Sequence, residues 1–248
     1  MTYPSSPEPS STFQRWGLWA TVGWSLCIAL VFIMSQTLVL LGVMWTTMAQ
    51  NPGLDPVILA QRLETDGGVL SLATLLSNPL CVGLVALVIR WRQGFTVKRY
   101  LELHWPNWRS LFLWCGITLA LIHGIDFLKA FIDRAPSSFT TDIYQSAQSL
   151  PLLYLAVAVA APLFEEVFFR GFMFQGLRSS FFGDWGAVIV SSGLWAVIHL
   201  QYDVYDVTGI FIFGLVLALA QIRTRSLYIP IAMHALNNAL ALSQVALS

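Results

Sequence analysis

Charge is scarce in this sequence: Asp, Glu, Lys and Arg together make up 10% of its 248 residues, against about 25% in an ordinary soluble domain. That scarcity excludes a water-soluble globular fold, because 56% of the residues are hydrophobic and no soluble surface could hide them. Excess charge of either sign is missing too. Thirteen Lys and Arg balance thirteen Asp and Glu, so nothing in the charge suggests a nucleic acid or an acidic partner. Cysteine is limited to Cys27, Cys81 and Cys115, all within apolar segments and without metal-ligand spacing, which favours small buried hydrophobes over a redox or metal role. No Cys stands near the C-terminal Val245-Ala246-Leu247-Ser248, so the chain is not expected to be a prenylation substrate itself. Internal repeats are absent. Low complexity is confined to the Ser/Pro-rich first 15 residues.

What is present is a series of long apolar runs. A membrane-spanning helix needs about 20 predominantly apolar residues. Such runs occupy 17–48, 69–90, 109–132, 150–180, 185–202, 206–222 and 227–246. The first is too long for a signal-peptide core and reads as a retained span. The fourth is expected to bend near Pro162, and the loop 49–68 to carry a short interfacial helix. The expected fold is therefore all-α: a polytopic transmembrane bundle of about seven spans, six to eight allowed. Three segments are expected: an N-terminal cytoplasmic tail (1–15), N-terminal transmembrane helices and loops (16–149) and a C-terminal transmembrane core (150–248).

Lys and Arg orient the bundle. With the N-terminus in the cytoplasm, the inside receives Arg15, Arg90, Arg92, Lys98, Arg99, Arg109, Arg178, Arg223 and Arg225, and the outside Arg62, Lys129 and Arg134. Nine against three places the N-terminus inside and the C-terminus outside. Trp16, Trp91, Trp108 and Trp185 lie near span ends, as interfacial aromatics do.

Ionisable residues inside a span carry an insertion penalty of about 2.5–3.5 kcal/mol each and usually face the protein interior. Four groups stand out. In Glu165-Glu166-Val167-Phe168-Phe169-Arg170, Glu166 and Arg170 are four apart and can pair on one helix face. Glu165 is rotated by about 100° and is the freer carboxylate, suited to general-base work. His199 stands alone in Leu194-Trp195-Ala196-Val197-Ile198-His199. His234 and Asn238 share a face and can donate to an oxyanion. His123 and Asp126, with Lys129 beyond them, are three apart and read as a mutually satisfied structural group. Each of the first three also fits plain packing: an inter-helix ion pair, a hydrogen-bonded packing histidine, an inter-helix clasp. Depth distinguishes them. Counted from the inner surface at 1.5 Å per residue, Glu165 lies about 20 Å deep, His199 about 21 Å, His234 about 14 Å and Asn238 about 20 Å. Three helices thus deliver polar groups to one membrane layer.

Glu-Glu-x-x-x-Arg, aromatic-x-x-x-His and His-x-x-x-Asn, in that order on successive spans, resemble the motifs of the CAAX protease and bacteriocin-processing family of intramembrane endopeptidases. They are Glu165-Glu166…Arg170 with Gly171, Trp195…His199 and His234…Asn238. The resemblance covers 150–246. It departs at Trp195, where the family usually has Phe, a change expected to reshape the substrate pocket. It implies that Glu165 and His199 activate a water, that His234 and Asn238 hold the tetrahedral oxyanion, and that Glu166, Arg170 and Trp195 support them. It further implies a conical or buried polar cavity open to the cytoplasmic side, a peptide or protein substrate at the lipid bilayer, prenylated or not, and the inner membrane of a bacterium. No cofactor is favoured. Zinc is the alternative, with Glu165, His199 and His234 as ligands, although no His-Glu-x-x-His is present. Two other functions compete: a non-enzymatic scaffold or bacteriocin-immunity-type protein using the same groups as helix glue, and a proton-coupled transporter, disfavoured by the lack of paired halves.

Overall fold

A computed structural model describes residues 15–92, 94–134 and 138–247. Apart from Arg15, the expected cytoplasmic tail lies outside the described residues. All regular structure among them is helical. In chain order the helices are α1 Leu18–Gln50, α2 Pro56–Glu64, α3 Gly67–Trp91, α4 Val97–Tyr100, α5 Trp108–Phe131 and α6 Ser138–Ser146. They continue with α7 Leu150–Arg178, α8 Gly183–Val197, α9 Val204–Thr224 and α10 Tyr228–Leu247. Five of them, α1, α3, α5, α7 and α9, are long and apolar enough to cross a membrane. The other two expected spans are also helical, as α8 and α10. The chain is an integral, multi-pass membrane protein by composition and helix length.

Polar residues between the apolar runs start the helices. Asp55 caps α2 ahead of Pro56, Asp66 caps α3 through the Val69 N–H at 2.8 Å, and Asn107 caps α5 through Ser110 at 2.8 Å. Asp203 accepts from both Tyr205 and Asp206 at the start of α9. Each side-chain oxygen satisfies an N–H that has no partner within the helix. The short helix expected in the loop 49–68 is α2. Helices α4 and α6 were not expected.

Helix α7 is the centre of the bundle: half of its apolar window is buried, against 6% for α1 and α5. It packs on α3, α10 and α1, while α8 and α9 form an adjacent hairpin. Its backbone is not uniformly α. Leu155–Ala160 and Val167–Met173 are π-helical, with the Ala161 N–H reaching back to the Ala156 carbonyl and Phe174 to Phe169. Pro162 has no N–H to give, so the ladder ahead of it widens in place of the simple bend expected there. Every residue from Glu166 to Leu177 is buried. Gly171 suits this closeness, since a Cβ there would lie 2.8 Å from a Leu101 methyl and 3.1 Å from a Leu227 methyl, which would have to shift.

The two ends of the bundle differ in charge. Arg15, Trp16, the 91–108 connection, Arg178 and the α9–α10 connection meet at one end. They are tied by Glu102, whose carboxylate accepts from Arg15 at 3.2 Å and Gln221 at 2.9 Å and whose carbonyl accepts from the Leu227 N–H at 3.2 Å. Arg178 approaches the same carboxylate at 3.8 Å. All nine cations assigned to the inside lie in the segments that meet at this end or in the helix turns that adjoin them. Arg62, Lys129 and Arg134 belong to the other, where Lys129 pairs with Asp206 at 2.6 Å and Arg134 with Asp203. Glu102 holds a left-handed backbone, φ 54°, kept by these bonds. Glu102→Ala removes a buried acceptor of charged donors, and a loss of about 2 kcal/mol of stability is expected. It is read as a lower melting temperature in detergent; an unchanged one would show that the clasp is not needed.

Two expectations are corrected here. His123, Asp126 and Lys129 do not satisfy one another. Asp126 accepts from Gln244 of α10 at 3.0 Å, Lys129 turns to Asp206, and His123 is exposed. Partners on α9 and α10 are better placed than neighbours on the same helix. Cys27 is exposed rather than buried, whereas Cys81 is buried and Cys115 intermediate.

Candidate active site

Five of the site residues come from two short stretches, Glu165–Arg170 of α7 and His234–Asn238 of α10. Glu166 and Arg170 are both fully buried, and the guanidinium donates to Glu166 Oε1 at 3.1 Å. Its second amino group donates to the Gly214 carbonyl of α9 at 3.2 Å. From α10, His234 donates through Nδ1 to the same Glu166 oxygen at 2.9 Å. One carboxylate therefore joins three helices through α7, α10 and the Arg170 link to α9. Gly214 is the close approach that allows it, since a Cβ there would stand 3.0 Å from the Trp195 ring and 3.1 Å from the guanidinium.

Glu165 faces elsewhere. Its Oε2 accepts from the Trp195 indole N–H of α8 at 2.6 Å and lies 4.0 Å from His234 Nε2. The Glu165 side chain keeps 18% of its surface exposed, against 3% for His234. The two carboxylates are thus divided as their helical positions dictate: one sealed into an ion-pair network, one at the edge of it with a single neutral donor.

His199 lies beyond α8, not on it. The helix ends at Val197, five residues short of the expected span end, because the His199 N–H bonds to Ala196 and the Tyr202 N–H to His199 in successive turns. His199 Nδ1 donates to the Trp195 carbonyl at 2.8 Å, which fixes the tautomer and leaves Nε2 as the acceptor. The imidazole meets the Trp195 ring edge to face at 5.1 Å and stacks near Tyr202 at 6.3 Å. His234 meets the same indole at 5.2 Å, and Arg170 lies over it at 4.5 Å.

Asn238 stands one turn beyond His234. Its oxygen accepts from Asn237 at 3.1 Å, and its amide nitrogen donates to the Val157 carbonyl in the first π segment of α7 at 2.9 Å. The structure thus gathers Glu165, Arg170, His199 and His234 around the Trp195 indole, with Glu166 bound to Arg170 and His234 and Asn238 anchored between α10 and α7. Gly214 and Val157, which contribute carbonyls, escaped the sequence reading. A glycine within Phe211-Ile212-Phe213-Gly214-Leu215 is the one visible hint of the former, and nothing in sequence marks the latter. Among the described residues, no group of three or more His, Cys, Asp or Glu has the arrangement of a metal site. The set Glu165, His199 and His234 is not arranged as a zinc site.

Chemically, the arrangement offers a half-buried carboxylate, an imidazole with a free acceptor nitrogen, a second imidazole backed by a carboxylate and an oriented amide. These are the elements of water activation and oxyanion stabilisation.

Residues 147–240 match the family described as Type II CAAX prenyl endopeptidase Rce1-like. Over 232 residues, 89% of this chain and 87% of the other, the sequence is 26% identical to the membrane-embedded CAAX protease MroQ of Staphylococcus aureus. It is also 28% identical over 126 residues to an uncharacterized 24.3 kDa protein of Escherichia coli, covering 49% of this chain and 58% of that protein. No solved structure matches.

Proposed function

This chain belongs to the CAAX protease and bacteriocin-processing family, and from that premise we propose that it is an intramembrane endopeptidase that hydrolyses peptide bonds with a water activated by Glu165 and His199. The observation that carries the reading is the division of labour between adjacent carboxylates. Glu166 is consumed by Arg170 and His234, whereas Glu165 has one neutral donor and residual exposure.

In this reading Glu165 accepts a proton from the attacking water while His199 Nε2 orients it. Attack on the scissile carbonyl gives a tetrahedral intermediate with a negative oxygen. His234, using both ring nitrogens as donors, gives Nδ1–H to Glu166 and turns Nε2–H toward that oxygen. Asn238, held by Val157 through one N–H, presents the other. Glu165 then returns its proton to the leaving amine. Residues 150–248 form the catalytic part, 16–149 its membrane scaffold and 1–15 a cytoplasmic tail. The substrate is a peptide or protein associated with the membrane. The nine cations at one end support an N-terminus in the cytoplasm, in the inner membrane of a bacterium.

The test is a comparison of membrane proteomes from cells carrying wild-type protein, no protein, or Glu165→Gln. Peptides trimmed only by wild type are expected. Identical proteomes in all three strains, with biological function kept by the glutamine variant, would instead establish the non-enzymatic scaffold or immunity-type role.

A further inference from the structure

Trp195 occupies a position that five contacts converge on, and one of them needs a donor that a phenylalanine ring lacks. Its ring lies under the Arg170 guanidinium at 4.5 Å. Its edge and face contact the rings of His199 and His234 at 5.1 and 5.2 Å. Its backbone carbonyl accepts from His199 Nδ1 at 2.8 Å. A phenylalanine would keep versions of all these. Only the indole N–H can make the fifth contact, the 2.6 Å bond to Glu165 Oε2.

That bond matters because Glu165 has little else to hold it. The side chain is flanked by a π-helical turn, keeps 18% exposure, and does not share in the Glu166–Arg170 pair. A free Glu carboxylate rotates about three side-chain torsions. An N–H at 2.6 Å on Oε2 fixes the carboxylate plane and leaves Oε1 as the oxygen that can receive a proton. Trp195 itself is 2% exposed and is pinned by Gly214, Phe213 and the guanidinium, so the donor is rigid. A rigid donor on a partly mobile base is a device for pre-orienting it.

We propose that Trp195 is a positioning residue for the general base: its indole N–H selects which Glu165 oxygen faces the attacking water. This rests on the reading of Glu165 as the base, and it assigns to the indole nitrogen a role that a pocket-shaping aromatic does not have.

Two replacements isolate the N–H. Trp195→Phe keeps an aromatic ring. Replacement by benzothienylalanine keeps the indole shape with sulfur in place of N–H. With a substrate peptide recovered from the proteome comparison, each is expected to lower kcat about ten- to a hundredfold with KM within about twofold, and the sulfur isostere to melt as wild type does. A second readout needs no activity. In a ¹⁵N-labelled sample the Trp195 indole resonance, assigned by its loss in Trp195→Phe, is expected well downfield and should move upfield in Glu165→Ala. A sulfur isostere with wild-type kcat, a change confined to KM, or an indole resonance indifferent to Glu165→Ala would each overturn the proposal. Full activity in Glu165→Gln with the indole shift intact would overturn the assignment of the base instead.

Discussion

Glu165→Gln is expected to lower kcat/KM for peptide cleavage about a thousandfold while leaving the melting temperature of the purified protein unchanged. A positioned general base contributes about 10²–10⁴ in rate, and a carboxamide cannot accept the proton. Gln is chosen over Ala for a structural reason. Its amide oxygen can still accept from Trp195, so the 2.6 Å contact survives and the indole is not left with an unpaired N–H. The side chain is 18% exposed and stands outside the fully buried Glu166–Arg170 pair, which the change leaves intact. Stability and activity therefore separate. The same change at Glu166 has no such separation, because that carboxylate accepts from both Arg170 and His234. The measurement is single-turnover cleavage in detergent or proteoliposomes beside a thermal melt. Near-wild-type cleavage by folded Glu165→Gln would remove Glu165 from the chemistry and with it the proposed mechanism.

Much of this site was readable in sequence, for reasons that set their own limit. Hydropathy locates spans because a bilayer demands a continuous apolar stretch, and the helices Gly67–Trp91, Val204–Thr224 and Tyr228–Leu247 begin and end within about two residues of the expected ones. The four-residue spacing of Glu166 and Arg170 is geometry internal to a helix, so it carries over directly. Three features were not readable. The end of α8 at Val197 is set by hydrogen bonding in the turn that follows, while the apolar composition runs on through Leu200. The π segments of α7 add a residue per turn without any compositional mark beyond Pro162. The partners of Asp126 and Lys129 lie on helices more than 70 residues away in sequence, so spacing within α5 pointed to the wrong ones. The bond from Trp195 to Glu165 belongs to the same class: it joins residues 30 apart, and only the packing of α8 on α7 brings them together.

Arg170→Met is expected to destabilise the protein by about 3–5 kcal/mol, the usual effect of removing one partner from a buried ion pair. Arg170 and Glu166 are both fully buried. Without the guanidinium, Glu166 keeps only the His234 Nδ1–H, and the Gly214 carbonyl and the face of Trp195 lose their partner as well. Met fills a similar volume, so the effect measures the charge and its hydrogen bonds rather than a cavity. Glu166→Gln in the same background removes the stranded charge and should recover part of the loss, giving a coupling energy between the two sites that is clearly different from zero. The measurement is reversible unfolding in mixed SDS micelles for both single variants and the double. Additive effects would mean that the 3.1 Å contact contributes nothing and that each residue acts through its other partners. Coupling would make the pair the structural keystone on which the neighbouring carboxylate depends. In that case Arg170→Met, even in the fraction that remains folded, should cleave more slowly than wild type, because the indole that holds Glu165 has lost the cation over its ring.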